Sequence, residues 1–463
     1  MQAGQGAQTP QGRCVLSHVV IVGGGFSGAL LAINLVRHDG PRATLIERRS
    51  VPGRGTAYST AHPRHLLNVR AANMSAYPDD PDHFTRWLAG CSEYDGSHFV
   101  PRQIYGDYLE QMLHEAIERS TGRLAVVRGD AVDIEPSGHG QRVLLADGSS
   151  IEGDVVALAV GNLPPTTPPG IGEAALADER YIADPWHGSL MEGLPPEGMV
   201  AVIGTGLTMV DVALLLDAEG FRGRALALSR HGFTPQPHRH EVVEPSRTER
   251  PPTDAVGMLR ALRQRAREVP WRVAVDELRP YTQGLWRAMS RTDRARFLRH
   301  LRPWWDVHRH RISPLVAEKL ERMEDENRLA IEAGRLVSVE PCAEGLTIRY
   351  RPRGSAEVRE LVAAKLVNAT GPQGDLGRAR EPLLRALRDR GRLRADPLGI
   401  GLDVDQDSRA IDRDGKASDE LLVIGPMTRG AFWEIVAVPD IRRQAWSIAR
   451  RLANSHWVEG EGL

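Results

Sequence analysis

Residues 19–28 read VVIVGGGFSG. Four β-branched residues predict a short buried strand, and Gly23, Gly25 and Gly28 follow it in the pattern G-x-G-x-x-G, at the point where a helical run begins. In such a unit the first glycine permits a tight turn, the second lets a pyrophosphate approach the backbone, and the third lets the helix pack on the strand. The helix N-terminus then faces the phosphate charge. The stretch predicts a dinucleotide-binding site, with a glycine-rich surface turn as the alternative.

The position of Glu47 favours the dinucleotide. A second apolar run, residues 43–46, ends in this residue, 24 positions after Gly23. An acidic side chain at the end of the second strand can accept both hydrogen bonds from an adenosine ribose. Because a surface turn needs neither the flanking strand and helix nor the acid, we interpret residues 19–47 as a nucleotide-binding unit.

A second copy of this pattern lies about 180 residues further along the chain. Residues 199–203 predict a strand, Gly204 and Gly206 follow it directly, and residues 210–217 predict a helix. Met209 stands where the third glycine would be, so we expect helix and strand to lie further apart here than at the first site. The segment predicts a second nucleotide site.

The residues after the next strand bear on which nucleotide binds there. Residues 225–228 end at Ser229-Arg230-His231, in the position that Glu47 holds in the first unit. An acid favours the free ribose hydroxyl of NAD, whereas serine and arginine can hold a 2′-phosphate. The sequence therefore favours NADPH over NADH.

Composition excludes several classes of function. The chain has 463 residues, 41% of them hydrophobic, and a formal net charge of -1, which gives no reason to expect a nucleic-acid partner. No apolar run reaches the roughly 18 residues that a membrane span needs, and residues 1–13 lack the apolar core of a signal peptide. We expect a cytoplasmic protein with no membrane partner.

Cysteine and lysine are both rare. Cys14, Cys91 and Cys342 are widely separated and form no C-x-x-C pair, so a dithiol redox centre is not indicated. His308 and His310 have a spacing that suits chelation poorly, and we predict no metal site. Nearly all of the 59 basic residues are arginine, so an arginine at any one position is weak evidence of function.

The rest of the sequence predicts a loop, a helical insertion, further strands and a closing helix. Residues 53–81 are rich in Gly, Pro, Asn and Asp and predict a loop near the first motif. Residues 254–329 have helical spacing and predict a helical insertion whose tryptophans pack inward. Strands are predicted to end near Gly161, Gly371 and Gly425, and a closing helix is predicted from Pro439 through Arg450.

Several motifs give the chain a resemblance to a known family. They are LLNVRAANMS (66–75), PRQIYGDYL (101–109), SRHG (229–232), WWDVHRHR (304–311) and TRGAFWE (428–434). With the two nucleotide motifs, they resemble the bacterial FAD/NAD(P)-binding flavoproteins related to flavin-containing and N-hydroxylating monooxygenases, aspartate N-monooxygenases among them. The resemblance covers nearly the whole chain.

The resemblance implies an α/β fold with two Rossmann-type dinucleotide-binding domains, the NADP domain inserted into the FAD domain. The predicted boundaries are 1–163 and 361–463 for the FAD domain, 164–253 and 330–360 for the NAD(P)H domain, and 254–329 for the helical insertion. It implies FAD and NADPH as cofactors, and a small-molecule substrate and dioxygen as partners. The oligomeric state stays open.

The resemblance also implies roles for individual residues. Asn68 is the candidate catalytic residue, able to hydrogen-bond the flavin or its peroxide, with an amide that satisfies loop backbone as the alternative. Arg70, Arg102 and Arg429 are candidates for binding a substrate carboxylate. The predicted cofactor-binding residues are Gly23, Gly25, Phe26, Ser27, Gly28, Glu47, Arg48, Met74, Val132, Gly204, Gly206, Leu207, Arg230, Gly371, Gly425 and Phe432.

The activity that the resemblance implies is an NADPH-consuming monooxygenase that acts through a flavin C4a-hydroperoxide, with N-hydroxylation of an amine or amino acid favoured. Pro426 follows Gly425 where many flavoproteins have an aspartate that holds the ribityl chain, so flavin contacts at that end must come from elsewhere. A flavin reductase or dehydrogenase and a non-catalytic redox sensor are the alternatives. Which of nitrogen, sulfur and carbon is oxygenated stays open.

Overall fold

The structure is a computed structural model that describes residues 16–59, 62–138, 140–186, 189–239 and 250–461. The elements up to residue 158 are β1 (His18–Val22), α1 (Phe26–Arg37), β2 (Arg42–Glu47), α2 (Gly55–Tyr58), α3 (His83–Ala89), α4 (Arg102–Arg119), β3 (Leu124–Arg128), β4 (Ala131–Ser137), β5 (Gly140–Leu145), β6 (Ser150–Gly153) and β7 (Val155–Leu158).

The middle of the chain contains two groups of strands separated by a run of helices. The elements are α5 (Glu173–Leu176), β8 (Tyr181–Ile182), β9 (Met199–Ile203), α6 (Leu207–Ala218), β10 (Arg224–Ser229), α7 (Ala255–Arg265), α8 (Trp271–Asp276), α9 (Thr282–Ala288), α10 (Arg291–Arg296), α11 (Arg302–Arg309), α12 (Pro314–Asp325), β11 (Leu329–Cys342), β12 (Gly345–Pro352), β13 (Arg359–Ala363) and β14 (Lys365–Asn368). The last elements are α13 (Pro382–Asp389), β15 (Arg409–Ile411), β16 (Ala417–Val423) and α14 (Val438–Glu461).

The first sheet has the strand order β15-β16-β7-β1-β2-β3 and is parallel apart from the β15–β16 pair. Every residue of β1 is buried, because helices α1, α4 and α14 cover one face of the sheet and α13 with the β4–β5 hairpin covers the other. A parallel strand covered on both faces needs apolar residues at every position. This is why residues 19–22 are apolar without alternation.

The second sheet has the order β13-β12-β11-β10-β9-β14-β8. Strands β8, β14, β9, β10 and β11 pair in parallel in that order, and β11, β12 and β13 form antiparallel pairs. All of its strands lie in the chain between β7 and β16, which pair with each other in the first sheet. The second unit is therefore inserted into the first, and the predicted α/β architecture of two Rossmann-type units is confirmed.

The structure differs from the predicted boundary at residue 360. Strands β13 and β14 both belong to the second sheet, so the chain returns to the first unit only after Asn368. β14 pairs with β9 as β7 pairs with β1, which makes Gly371 the second unit's counterpart of Gly161. The similarity of these two strand exits marks equivalent strands of two units.

Of the helices in the predicted insertion, α12 packs in the core of the second unit, so α7 to α11 are the helices that lie outside both Rossmann-type units. Trp286 is 1% exposed, stacks on Trp433 at 4.6 Å between ring centroids, and donates its indole N–H to the Gly430 carbonyl at 2.8 Å. Trp304, in contrast, is 52% exposed. The prediction that the tryptophans pack inward is therefore right for Trp286 and wrong for Trp304.

The insertion is also tied to the first unit by the buried carboxylate of Glu434. It accepts hydrogen bonds from Trp305 Nε1 at 2.7 Å, Arg279 Nη1 at 3.1 Å and Arg309 Nε at 3.1 Å. The backbone of Glu434 has a φ of 65°, which non-glycine residues adopt only where their surroundings fix them. Three donors from the insertion provide that constraint.

Removing the Trp286 ring tests this docking. Truncating a large buried aromatic typically costs about 3–5 kcal/mol, so Trp286→Ala is expected to lower the free energy of unfolding by that amount. Leu315, which is 66% exposed on α12, is the control, and Leu315→Ala should change it by less than about 0.5 kcal/mol. Denaturant unfolding followed by circular dichroism measures both variants. Equal midpoints for the two would contradict the assigned role of Trp286.

Candidate functional site

The first glycine turn is fixed by close backbone contacts. Gly23 has a φ of 105°, its N–H donates to Ile46 O at 2.9 Å, and a Cβ at this position would collide with Ala159 O. A Cβ at Gly28 would collide with the carbonyl of Gly23. Gly25 directly precedes α1, and no side chain caps that helix. The first-turn N–H groups of α1 are thus suited to a phosphate group.

Glu47 is buried at the end of β2 and holds the turn in place. Its Oε2 accepts the Gly24 N–H at 2.7 Å and its Oε1 accepts the Arg49 N–H at 2.8 Å. Each carboxylate oxygen has a second lone pair, which leaves capacity for the predicted ribose hydrogen bonds.

The loop after β2 packs directly against the glycine turn. Gly53 N–H donates to Gly24 O at 2.7 Å, and a Cβ at Gly55 would lie 3.1 Å from Gly25 Cα. Arg54 fixes the loop to α4 through an ion pair with Glu110 at 2.6 Å. The loop predicted near the motif therefore forms a second wall of the phosphate site, which only glycine at position 55 allows to come so close.

A cavity of about 460 Å³ lies between the two units. Ligand sites of this fold occur in such crevices, at the carboxyl ends of the strands. Residues from both units line it, among them Gly23, Gly25, Phe26, Ser27, Glu47, Arg48, Tyr58, Arg102, Gly129, Asp130, Ala131, Asn162, Trp186, Leu207, Thr208, Asp211, Gly371 and Pro426. The cradle closed by Gly23, Gly25 and Gly28, the acid at position 47 and the concave wall together fit a dinucleotide such as FAD.

The second glycine turn repeats the geometry of the first. Gly204 N–H donates to Leu228 O at 2.8 Å, and a Cβ there would collide with Ala369 O. Gly206 directly precedes α6, and a Cβ on it would meet nothing within 4 Å. The start of α6, including the predicted residue Leu207, lines the cavity.

Other predicted residues are not part of the cavity lining. Asn68 is partly buried, and its carbonyl accepts a hydrogen bond from His238 Nε2 at 2.9 Å. Met74 is 3% exposed, belongs to the core of the first unit and is not part of the cavity lining. Val132, Phe432, Arg230, Gly204, Gly206, Gly28 and Gly425 also lie outside the lining. Their roles stay predictions.

Gly425 nevertheless contacts the cofactor turn. A Cβ at this position would collide with Ser27 Oγ, and its N–H donates to Gln444 Oε1 at 2.8 Å. The following residue, Pro426, lines the cavity. This end of the first unit therefore reaches the cavity through Pro426, where an acid would stand in many flavoproteins.

The three candidate arginines differ in their partners in the structure. Arg102 lines the cavity but forms an ion pair with the buried Asp211 at 3.0 Å, which joins α4 to α6 across the two units. Arg70 donates to the Ser97 carbonyl at 3.0 Å and to the Arg239 carbonyl at 2.8 Å. Both side chains thus have protein partners that hold the structure together.

Arg429 is different. Its Nη2 donates to Oδ1 of the cavity-lining Asn162 at 2.6 Å, and its Nε donates to Pro426 O at 3.0 Å. Within the described part of the chain, no carboxylate lies within ion-pair distance of its guanidinium. Burial, and then the neighbouring Arg302, lower the pKa of Arg429 to about 10. A guanidinium in this setting would be stabilised by an anion.

The cavity residues that sequence reasoning missed include Tyr58, Asn162, Trp186 and Asp211. Asp211 lies on the apolar face of α6, where a buried acid is unusual without a partner, and this pattern could have indicated the ion pair with Arg102. Asn162 and Trp186 lie in loops and Tyr58 ends the one-turn helix α2, where nothing in the local pattern indicates which side chains face a cavity.

The comparisons with known proteins agree with this geometry. Residues 20–163 match a protein-family model described as FAD-NAD(P)-binding. The match covers the first part of the FAD/NAD(P)-binding domain, which β15, β16 and α14 complete. No curated protein matches the sequence.

Several solved structures are similar to nearly the whole chain. The ornithine N-hydroxylase KtzI of Kutzneria sp. 744 is 17% identical, with 94% of this chain and 98% of that chain covered and a TM-score of 0.62. The ornithine hydroxylase PvdA of Pseudomonas aeruginosa is 16% identical, with 95% and 100% covered and a TM-score of 0.64. The cadaverine monooxygenase DfoA of Erwinia amylovora, bound to FAD, is 14% identical, with 97% and 95% covered and a TM-score of 0.63. At these identities the similarity establishes the shared fold.

Some features are absent from the described residues. None of their helices is long and apolar enough to cross a membrane. They also contain no group of three or more His, Cys, Asp or Glu side chains that could hold a metal ion. Cys91 is exposed and Cys342 partly buried, and neither lines the cavity beside the FAD/NAD(P)-binding domain, while Cys14 lies outside the described residues.

The two glycine turns permit a paired test. Gly25→Val places a branched side chain where the pyrophosphate must approach, so the purified variant should contain little FAD. Gly206→Val has room for its Cβ and should keep FAD but bind NADPH at least tenfold more weakly, since it occupies the equivalent place at α6. Flavin absorbance and NADPH titration measure the two effects. A full complement of FAD in folded Gly25→Val would refute the assignment.

The partly buried His238 predicts a dependence of stability on pH. Burial is the main cause that lowers its pKa to about 4. Between pH 6.5 and about 4 the unfolded chain therefore binds a proton that the folded protein does not, and the free energy of unfolding falls as the pH falls, by up to about 3 kcal/mol. His238→Gln should reduce this slope, whereas the same change at the exposed His114 should leave it as in the wild type. Unfolding in denaturant at pH 7.5 and 4.5 measures it.

Proposed function

We propose that the protein is an NADPH-dependent flavin monooxygenase that hydroxylates the nitrogen of an amine or amino acid. The observation that carries the proposal is that both nucleotide units line the same cavity. Ser27 at the start of α1 and Leu207 and Thr208 at the start of α6 line the same cavity. A nucleotide on the second turn and a flavin on the first would then share this cavity.

The residues of the first unit would hold FAD, with the glycine turn at the pyrophosphate and Glu47 at the ribose. Bound FAD would supply the transfer of electrons from NADPH to dioxygen and the oxygenation chemistry. The overall reaction is R-NH2 + O2 + NADPH + H+ giving R-NH-OH + H2O + NADP+. The chain itself has to orient the amine and exclude water, and the Arg102–Asp211 ion pair closes the cavity wall where the two units meet.

Arg429 is the residue that we propose for substrate recognition. Of the three candidate arginines, it is the one beside the cavity without a carboxylate among the described residues. A guanidinium binds a carboxylate through two parallel N–H donors, so an amino acid is the substrate class that would satisfy it. The similar structures named for ornithine and cadaverine support an amine as the reacting group.

Three other functions are compatible with the fold. A dithiol reductase would need a thiol pair beside the flavin, which Cys91 and Cys342 do not supply. A flavin reductase or a non-catalytic sensor needs only the nucleotide sites. We disfavour both of these because neither has a use for an unneutralised arginine beside the cavity.

The test is NADPH oxidation by the FAD-loaded protein under 18O2, with L-ornithine, L-lysine, L-aspartate and cadaverine as the first amines. We expect at least one of them to accelerate NADPH consumption and to give a hydroxylamine that contains one labelled oxygen atom. Quantitative hydrogen peroxide with unmodified amines would indicate a reductase or oxidase. No NADPH oxidation under any condition would indicate a sensor.

Arg429 provides the second test. With the accepted amino acid, Arg429→Gln should raise KM about 10- to 100-fold, as expected from the loss of a charge-assisted bidentate contact. With the corresponding amine that lacks the carboxylate, wild type and variant should have similar KM values. Arg260→Gln, on the exposed side of α7, is the matched control and should change neither value. An equal rise for both substrates would mean that Arg429 does not bind the carboxylate.

A further inference from the structure

Three aromatic rings lie in a row at the carboxyl end of β10. The rings of His231 and Phe233 stack at 5.2 Å with an interplanar angle of 13°, and Phe233 contacts Trp304 at 4.3 Å between centroids. His231 and Phe233 belong to the second unit, whereas Trp304 lies on α11 of the helical insertion. Trp304 is 52% exposed, so an indole ring is left open to solvent at the end of this row.

Hydrogen bonds tie the aromatic row to the second glycine turn. Thr205, between Gly204 and Gly206, hydrogen-bonds through its hydroxyl to the Phe233 carbonyl and lies 2.9 Å from the Ser229 hydroxyl. In this fold a dinucleotide on the glycine turn extends its adenosine half toward the ends of the second and third parallel strands. Here those strands are β10 and β11, so the row lies where the adenine is expected.

The same end of the sheet has two exposed arginines. Arg230 follows β10, and Arg353 follows β12, with its Nη1 3.4 Å from His231 Nδ1. Neither has a carboxylate within ion-pair distance among the described residues. The pKa of His231 is lowered, first by burial and then by Arg353 and Arg230, as expected in a cluster of cations without a counterion. Such a cluster suits a phosphate group.

We propose that the helical insertion completes the pyridine-nucleotide site, with Trp304 stacked on the adenine and Arg353 joining Arg230 at the 2′-phosphate. The proposal rests on the proposed function only in taking NADPH as the electron donor. It gives the insertion a part in nucleotide recognition and adds two specificity residues that the second glycine motif does not include. It also accounts for the exposure of Trp304, whereas Trp286 and Phe297 of the same insertion are buried.

The experiment distinguishes the contribution of the Trp304 ring to nucleotide affinity from that of the Arg353 charge. The FAD-loaded protein is titrated by calorimetry with 2′,5′-ADP and with 5′-AMP, which share the adenine and differ in the 2′-phosphate. Trp304→Ala should weaken both ligands about 5- to 100-fold, as for loss of a base–aromatic stack, and Trp304→Phe should restore most of the affinity. Leu315→Ala, which removes an exposed apolar side chain from the following helix α12, should leave both affinities unchanged.

Arg353→Ala should weaken 2′,5′-ADP about 10- to 100-fold and leave 5′-AMP unchanged, because only the first ligand has the 2′-phosphate. Arg224 is the matched control, since it is exposed at the opposite end of β10, and Arg224→Ala should change neither affinity. Unchanged binding in Trp304→Ala, or an equal loss of both ligands in Arg353→Ala, would overturn the proposal, as would a wild type that binds neither ligand. Expected binding without any hydroxylated product would leave this inference standing and refute the proposed function.

Discussion

Each of the two nucleotide units depends on one backbone contact. A glycine at the end of the first strand donates its N–H to the second strand and presses its Cα against the carbonyl at the exit of a third. In the first unit the contact joins Gly23 to Ile46 and Ala159, and in the second it joins Gly204 to Leu228 and Ala369. Any side chain at either glycine would separate the strands, because a Cβ would collide with the carbonyl. The turn, the helix that follows and the cavity between the units are all positioned by this contact.

The sequence predicted the elements that this glycine contact positions. The strand, the glycine turn and the following helix are local in the chain, so VVIVGGGFSG and its second copy indicated two nested α/β units. The sequence did not predict that β14 completes the second sheet, because its exit near Gly371 looks like the exit near Gly161. The two exits can be assigned to different sheets only from the pairing of β14 with β9. A local sequence pattern does not record pairing between strands that are distant in the chain.

The candidate site was less predictable because the chain is so rich in arginine. Sequence alone could not distinguish Arg70, Arg102 and Arg429, since each lies in a motif segment. Their partners distinguish them: backbone carbonyls for Arg70, a buried carboxylate for Arg102, and an amide at the cavity for Arg429. In a chain of this composition, the absence of a counterion carries more information than the presence of an arginine. The roles of Asn68 and Met74 rest on the resemblance, because neither side chain lines the cavity.

The nesting of one unit inside the other also sets the order in which the two can be completed during synthesis. Helix α1 packs in the same core as α14, and β7 pairs with β16, so the first unit needs residues from both ends of the chain. At about 5–20 residues per second, the ribosome produces α14 roughly 20–80 s after α1. The second sheet, by contrast, needs nothing beyond β14. The inserted second unit can therefore fold first. Helix α1 can pack against α4 early, but the part of its apolar surface that α14 covers stays exposed until the end of synthesis.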